Sequence, residues 1–174
     1  ICKRKVYGGL GVLDIGAHNQ ALLMKFLHKF LNKEDIPWVH IIWETYYQAA
    51  LPGDRIVGSF WWKEICKLLP DYKRHAICKA GVGDTALFWS DNWSSRPLSL
   101  TYPNLFSFAN EEQISLSQVV EHQDISHLFH RPPSLQAYQQ FNALAQDLNS
   151  RGISNNQDRW HYSWNCNHYS SMRM

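Results

Sequence analysis

Residues 81–93 read GVGDTALFWSDNW, and this stretch decides how the middle of the chain is expected to fold. An apolar segment, Ala76–Ala80, precedes it, and a second one, Thr85–Trp89, lies inside it. The glycines between these segments are typical of a tight turn, because glycine adopts backbone conformations that other residues avoid. The pattern therefore predicts a β-hairpin near residues 76–90, with Gly83 providing the turn geometry.

Asp84 and Asp91 raise the question of a metal site, since converging carboxylates hold metal ions in many enzymes. If residues 85–90 are extended, the two Cα atoms lie on the order of 20 Å apart. The odd offset of seven residues also turns the two side chains to opposite faces of a strand. We therefore expect structural roles and assign no metal ligands. Asp84 makes a hydrogen bond at the turn, and Trp89 anchors the segment in the core. Asp91 caps or braces the corner before Trp93.

Helical periodicity dominates on both sides of this stretch. The predicted helices cover residues 17–32, 38–48, 60–69, from Ser115 or Ser117 to Glu121, and 135–148. Asn19 is suited to cap the first helix and Ser59 to cap the third. Pro37 and Pro70 are expected to end these same two helices, because proline cannot continue a helix.

Near the end of the chain, Trp160, Tyr162 and Trp164 alternate with other residues, which predicts a β-strand. Asn165–Asn167 resembles a turn that leads into the second half of a hairpin. The expected fold class is α+β and mainly helical. It has about five helices, one β-hairpin and a C-terminal strand or hairpin.

Composition places the chain among folded proteins of one domain, or one domain with a tail. It has 174 residues, 45% hydrophobic and 18% charged, with eight each of Trp, Tyr and Phe, so its packing must be largely aromatic. The four cysteines are far apart, which indicates reduced intracellular thiols and excludes a disulfide framework. No apolar run suits a membrane span and no signal peptide is recognisable, so we expect an intracellular, non-secreted protein. The chain begins with Ile1 instead of Met, which suggests a piece of a longer protein.

Charge is distributed unevenly along the chain. Residues 1–80 carry twelve Lys and Arg against seven Asp and Glu, whereas residues 81–174 carry five against eight. Lys25, Lys29 and Lys33 are spaced by four residues and would share one helix face, which suits contact with nucleic-acid phosphates. The alternative is an ordinary solvated helix surface.

Motifs of catalysis and cofactor binding are absent from the sequence. There is no phosphate-binding glycine loop and no nucleophile motif, so we assign no catalytic residue and no cofactor. Cys166 and His168 form at best half of a zinc site, because structural zinc sites combine two ligand pairs.

Several segments in series resemble one family. These are Gly8–Asp14, Gly58–Lys63, Gly81–Trp93, Pro103–Phe106 and Asp158–Trp164. Their order and spacing are similar to the region that follows the reverse transcriptase domain in plant LINE-type, non-LTR retrotransposon polyproteins. In that family the first segment follows the polymerase, and the last opens the reverse transcriptase zinc-binding domain.

The resemblance implies a domain organisation. Residues 1–150 would form a helical connector, and residues 151–174 would begin a truncated zinc-binding domain whose ligands lie downstream. The polymerase domain would lie upstream, and its paired aspartates do not occur in this chain. The resemblance thus implies a non-catalytic polyprotein fragment that assists RNA or DNA binding. The alternative is a structural or protein-interaction remnant, which exposed tryptophans around 61–62 and 89–93 would support.

Overall fold

The computed structural model describes residues 14–48, 51–52, 57–121, 124–130, 133–150 and 156–162. They form a mainly helical α+β structure with a two-stranded antiparallel sheet, which confirms the predicted fold class. The elements in chain order are α1 (Ile15–Leu31), α2 (Pro37–Tyr46), α3 (Phe60–Cys66), α4 (Leu69–His75), β1 (Ala76–Lys79), α5 (Leu98–Thr101), α6 (Pro103–Phe106), α7 (Leu116–Glu121), a 3₁₀ helix (Ile125–Leu128), α8 (Leu135–Ser150) and β2 (Arg159–Tyr162). Within these segments, no helix has both the length and the apolar character needed to cross a bilayer.

The predicted hairpin near residues 76–90 is wrong, because β1 pairs with β2 from the far end of the chain. Within residues 85–89, Leu87 makes an isolated bridge to Ser115, after which the chain turns. Residues 86–89 are all buried, so alternate positions do not separate a core face from a solvent face. A short apolar run of this kind shows that a segment is buried but does not by itself establish a strand. The predicted C-terminal strand is confirmed as β2, and the hairpin expected after it lies outside the described residues.

The start of α1 differs from the prediction. Asp14 caps the helix by accepting a hydrogen bond from the Ala17 N–H at 3.1 Å. Asn19 lies inside the helix, so its predicted role as the cap is wrong. Pro37 does not end this helix, which already stops at Leu31, and is instead the first residue of α2.

The third predicted helix divides into two short ones. Ser59 caps α3 as predicted, since its hydroxyl accepts from the Trp62 N–H. The helix stops at Cys66, and Pro70 lies in the first turn of α4. Proline is tolerated there because the first turn of a helix needs no N–H donor, so the prediction that Pro70 ends the helix is wrong.

Two buried clusters hold these elements together. In the first core, Phe30 of α1 stacks on Trp43 with ring centroids 4.5 Å apart and meets Trp62 edge-on at 4.6 Å. The indole N–H groups have acceptors: that of Trp43 donates to the Phe30 carbonyl, and that of Trp62 donates to the Tyr47 hydroxyl. Phe30 and Trp62 are fully buried, and burying each of these two rings stabilises the fold by roughly 2–3 kcal/mol. The second core lies further along the chain, where Trp89 packs with side chains from α5 to α8.

Candidate functional site

The carboxylate of Asp158 accepts four hydrogen bonds from the loop at residues 81–85. Its Oδ1 accepts from the N–H groups of Gly81 at 2.7 Å and Gly83 at 2.8 Å. Its Oδ2 accepts from the N–H and the hydroxyl of Thr85, both at 2.9 Å. Asp158 is 1% exposed. Both oxygens are therefore occupied by donors, which is what a buried carboxylate requires.

The two glycines allow the loop to approach this carboxylate closely. Gly83 has a φ of +81°, in the left-handed region that side chains rarely adopt, and a Cβ there would lie 2.9 Å from Leu116. A Cβ on Gly81 would lie 1.9 Å from the carbonyl oxygen of Asn156. Gly83 thus supplies special backbone geometry, but in a loop that encloses Asp158 instead of at the hairpin tip where it was expected.

Replacing Gly81 with alanine is expected to lower the free energy of unfolding by about 2–3 kcal/mol, because the new methyl group would displace the backbone at Asn156. Chemical unfolding followed by tryptophan fluorescence measures this loss. Gly16→Ala is the matched control, since that glycine lies in α1 and its added Cβ would meet only the Asp14 side chain at 3.3 Å. An equal effect of the two substitutions would contradict the role of close approach at Gly81.

Trp160 connects this loop to α1. Its indole N–H donates to the Thr85 hydroxyl at 3.0 Å. Its backbone N–H donates to Asn32 Oδ1 at 2.8 Å, and its carbonyl accepts from Asn32 Nδ2 at 3.2 Å. The Asn32 carboxamide therefore bonds the edge of β2 as a neighbouring strand would. The boundary between residues 150 and 151 stays a prediction, but β2 contributes Trp160 to the first core.

Asp84 lies on the outside of the same loop, where it forms an ion pair with Lys33. The Lys33 ammonium also lies 4.7 Å from the centroid of the Trp43 ring. Asp84 therefore bonds a lysine that follows α1, whereas a hydrogen bond within the turn was expected. Lys33 has a φ of +45° and follows the end of α1, so the expectation that it continues the helix face of Lys25 and Lys29 is wrong.

Asp91 is a buried carboxylate at the corner before Trp93. Its side chain is 0% exposed and forms an ion pair with Lys73 of α4 at 2.7 Å. It also accepts from the Leu87 N–H at 2.8 Å. Trp93 completes the corner by donating its indole N–H to the Phe88 carbonyl. Asp84 and Asp91 thus bind two different lysines and do not converge.

An open cleft of about 710 Å³ lies beside the Lys73–Asp91 pair. Cys66 contributes to its wall, and burial raises the pKa of this thiol. Burial raises the pKa of the Cys78 thiol as well, with nearby carboxylates adding to the effect. Both cysteines are free and buried. A protonated thiol is a poor nucleophile and a poor metal ligand, so neither thiol is suited to such chemistry.

The histidines of the described residues do not form a metal site. In the part of the chain that the structure describes, no three His, Cys, Asp or Glu side chains are grouped as a metal site would need. Burial lowers the pKa of His28, whose ring bonds the Tyr72 hydroxyl. Cys166 and His168, considered above as half of a zinc site, lie outside the described residues.

Sequence reasoning missed the roles of Asp158, Asn32 and Lys73. One signal was available for the loop: residues 81, 83 and 85 place three N–H donors at every second position, a spacing that can direct them to one side. That signal indicates that the loop binds an acceptor, but not which residue provides it. The donors and Asp158 are more than 70 positions apart in the chain, so no local pattern joins them.

Comparisons with known proteins give one distant relative. Over 105 residues the chain is 30% identical to a protein of Arabidopsis thaliana named as a putative ribonuclease H protein. The match covers 56% of this chain and 17% of that protein, so the chain spans only a small part of its relative. No family model matches the chain. No solved structure matches it significantly. What the chain shares with a known protein is therefore one segment similar to part of a much longer plant protein.

Proposed function

We propose that the chain is a non-catalytic segment of a retrotransposon reverse transcriptase-like polyprotein that contacts RNA or DNA. The non-catalytic assignment rests on how Asp84, Asp91 and Asp158 are bonded. Asp91 and Asp158 are buried and held by a lysine or by loop donors, and Asp84 is paired with Lys33. Carboxylates held at three separate positions are unsuited to sharing catalytic metal ions.

The relationship to a plant protein named for ribonuclease H supports an origin in a retroelement. The motif series described above supports the finer assignment to a LINE-type element. Under this proposal a polymerase domain lies upstream, a zinc-binding domain begins near residue 151, and the fragment itself needs no cofactor. Such a polyprotein acts inside the cell, in the nucleus or the cytoplasm.

The nucleic-acid contact is assigned to Lys25 and Lys29 of α1. They lie one helical turn apart, and both are partly exposed. The opposite face of α1 is occupied by the first core, through Leu27 and Phe30. Lys33 was expected to be the third contact, but its ammonium is held by Asp84 and Trp43. The proposed contact therefore rests on two lysines.

Reversing both charges with Lys25→Glu and Lys29→Glu is expected to weaken binding to RNA and DNA about tenfold at 0.1 M salt. The negative slope of the logarithm of affinity against the logarithm of salt should decrease in magnitude by about 1.4 on single strands and about 1.8 on duplexes, because two phosphate contacts are lost. Fluorescence anisotropy with labelled 20-nucleotide single strands and duplexes measures both quantities.

Lys29→Glu and Lys63→Glu form a matched pair for this experiment. Both substitutions change the net charge equally, but Lys63 is an exposed residue of α3 outside the proposed contact. We expect Lys63→Glu to leave the salt slope unchanged. An unchanged slope in the Lys25, Lys29 double variant would contradict the assignment.

The second candidate function is a protein-docking role, which one observation favours. Phe60 is 81% exposed and Trp61 is 44% exposed. Trp61 also contacts Phe26 and Trp38 edge-on, so its ring is held in place while part of it faces solvent. Of the other tryptophans expected at such a surface, Trp62 and Trp89 are buried and Trp93 is half-buried. Absence of any nucleic-acid binding by the unaltered chain would favour this alternative.

A further inference from the structure

The two faces of the β1–β2 sheet differ sharply. Its inner face is formed by Ala76, Cys78, Trp160 and Tyr162, all buried in the first core. Because side chains alternate along a strand, the outer face carries Ile77, Lys79, Arg159 and His161. Lys79 and Arg159 are exposed. The outer face therefore presents basic side chains and no acidic one.

The pairing register places Lys79 directly opposite Arg159. The N–H of Cys78 donates to the Asn92 carbonyl, which lies on the side of β1 away from β2. Hydrogen-bonded and non-bonded pairs alternate along an antiparallel ladder, so the neighbouring Lys79–Arg159 pair is a hydrogen-bonded one. The Cα atoms of such a pair lie about 5.5 Å apart. Like charges directly opposite each other destabilise a sheet. Among the described residues, no ion pair includes either side chain.

Each of the two strands is also hydrogen-bonded along its outer edge by a neighbouring segment. Asn92 bonds the free edge of β1, and the Asn32 carboxamide bonds the free edge of β2. Arg159 follows Asp158, whose carboxylate is held by four donors. The two positive charges are thus kept side by side on a braced backbone, which suits a partner of high negative charge density.

We propose that the outer face of the β1–β2 sheet binds phosphate groups of a nucleic-acid backbone. The Arg159 guanidinium can donate two parallel hydrogen bonds to one phosphate, and the Lys79 ammonium adds a second positive charge beside it. His161 lies next to them as a further donor. The inference rests on the proposed function and adds a surface distinct from the one at Lys25 and Lys29.

Lys79→Glu is the decisive variant, because it is expected to raise the stability of the fold while it weakens nucleic-acid binding. It places a carboxylate opposite Arg159 and turns a repulsive pair into an attractive one, so the Tm should rise by about 1–4 °C. Affinity for nucleic acid should fall about tenfold at 0.1 M salt, and the magnitude of the salt slope should decrease by about 1, because one phosphate contact is lost. Lys79→Gln, which removes the charge without adding an acid, should weaken binding in the same direction by a smaller factor.

The binding assay uses labelled single-stranded and duplex RNA and DNA, with polyglutamate as an acidic competitor. Lys63→Glu, with the same change of net charge, is expected to alter affinity less than twofold. Equal weakening by Lys63→Glu and Lys79→Glu would overturn the inference, since it would show a general charge effect. Equal competition by polyglutamate would overturn the assignment of phosphate as the partner.

Failure of this inference and failure of the proposed function give different results. If Lys79→Glu raises the Tm but leaves affinity unchanged, while the Lys25, Lys29 double variant weakens binding, the sheet face is not a contact and the proposed function stands. If the unaltered chain binds none of the four nucleic acids at low salt, both are overturned.

Discussion

Replacing Asp158 with alanine is expected to lower the free energy of unfolding by about 3–5 kcal/mol. The substitution removes the acceptor for three backbone N–H groups and one hydroxyl that lie away from solvent. Each buried donor left without a partner costs about 1–3 kcal/mol, and water entering the space would recover part of that loss. The loop at residues 81–85 would lose the group that organises it.

Urea unfolding monitored by tryptophan fluorescence measures this effect, and Thr85→Val provides the graded comparison. Valine removes one donor to the carboxylate and the acceptor of the Trp160 indole N–H, while the Thr85 N–H stays in place. We expect a smaller loss, about 1–2 kcal/mol. A loss below 1 kcal/mol for Asp158→Ala would show that the loop is organised without the carboxylate.

Asp158→Asn tests whether the negative charge itself matters. The amide oxygen can replace one carboxylate oxygen, but the amide nitrogen is a donor and would face donors of the loop. The best orientation keeps the bonds from Gly81 and Gly83 and turns the nitrogen toward Thr85. We therefore expect Asp158→Asn to lower the free energy of unfolding by more than Thr85→Val and by less than Asp158→Ala.

The helices were predictable because their signal is local. Apolar residues at three- and four-residue intervals place α1, α2 and α8 within a few residues of their observed ends. Errors at helix starts have a specific cause: two polar residues near the start of α1, Asp14 and Asn19, could each act as the cap. Only the three-dimensional position of the Ala17 N–H decides between them.

The sheet and the centre of the candidate site were not predictable in the same way. β1 pairs with β2 across about half of the chain, and a strand of four residues carries no information about which partner it will find. The hairpin prediction relied on proximity along the chain. In the structure, the N–H groups of Gly81 and Gly83 instead bond the carboxylate of Asp158. Because Asp158 directly precedes β2, these bonds fix the position of that strand. A glycine-rich turn followed by an apolar run therefore also fits a loop that encloses a distant carboxylate.

Replacing Lys73 with methionine is expected to cost about 3–5 kcal/mol, because it leaves the Asp91 carboxylate buried without its cation. The Lys73 side chain is 15% exposed and that of Asp91 is 0% exposed, so little solvent can replace the ammonium. Methionine keeps an apolar chain of similar length near Trp160, over which the Lys73 ammonium lies at 5.9 Å. The loss of unfolding free energy should therefore reflect the missing charge more than any change in packing.

A double-mutant cycle isolates this ion pair. Asp91→Asn keeps an oxygen for the Leu87 N–H and removes the charge, so adding it to Lys73→Met should restore stability, with a coupling of about 2–3 kcal/mol. The matched cycle uses Lys67 and Glu64, an exposed pair at 2.6 Å whose side chains are 60% and 44% exposed. Its coupling should not exceed about 0.5 kcal/mol, because solvent screens exposed pairs. Equal coupling in the two cycles would mean that burial of Asp91 adds nothing to the strength of its bond with Lys73. The corner at Asp91 would then depend on the Leu87 hydrogen bond and on apolar packing alone.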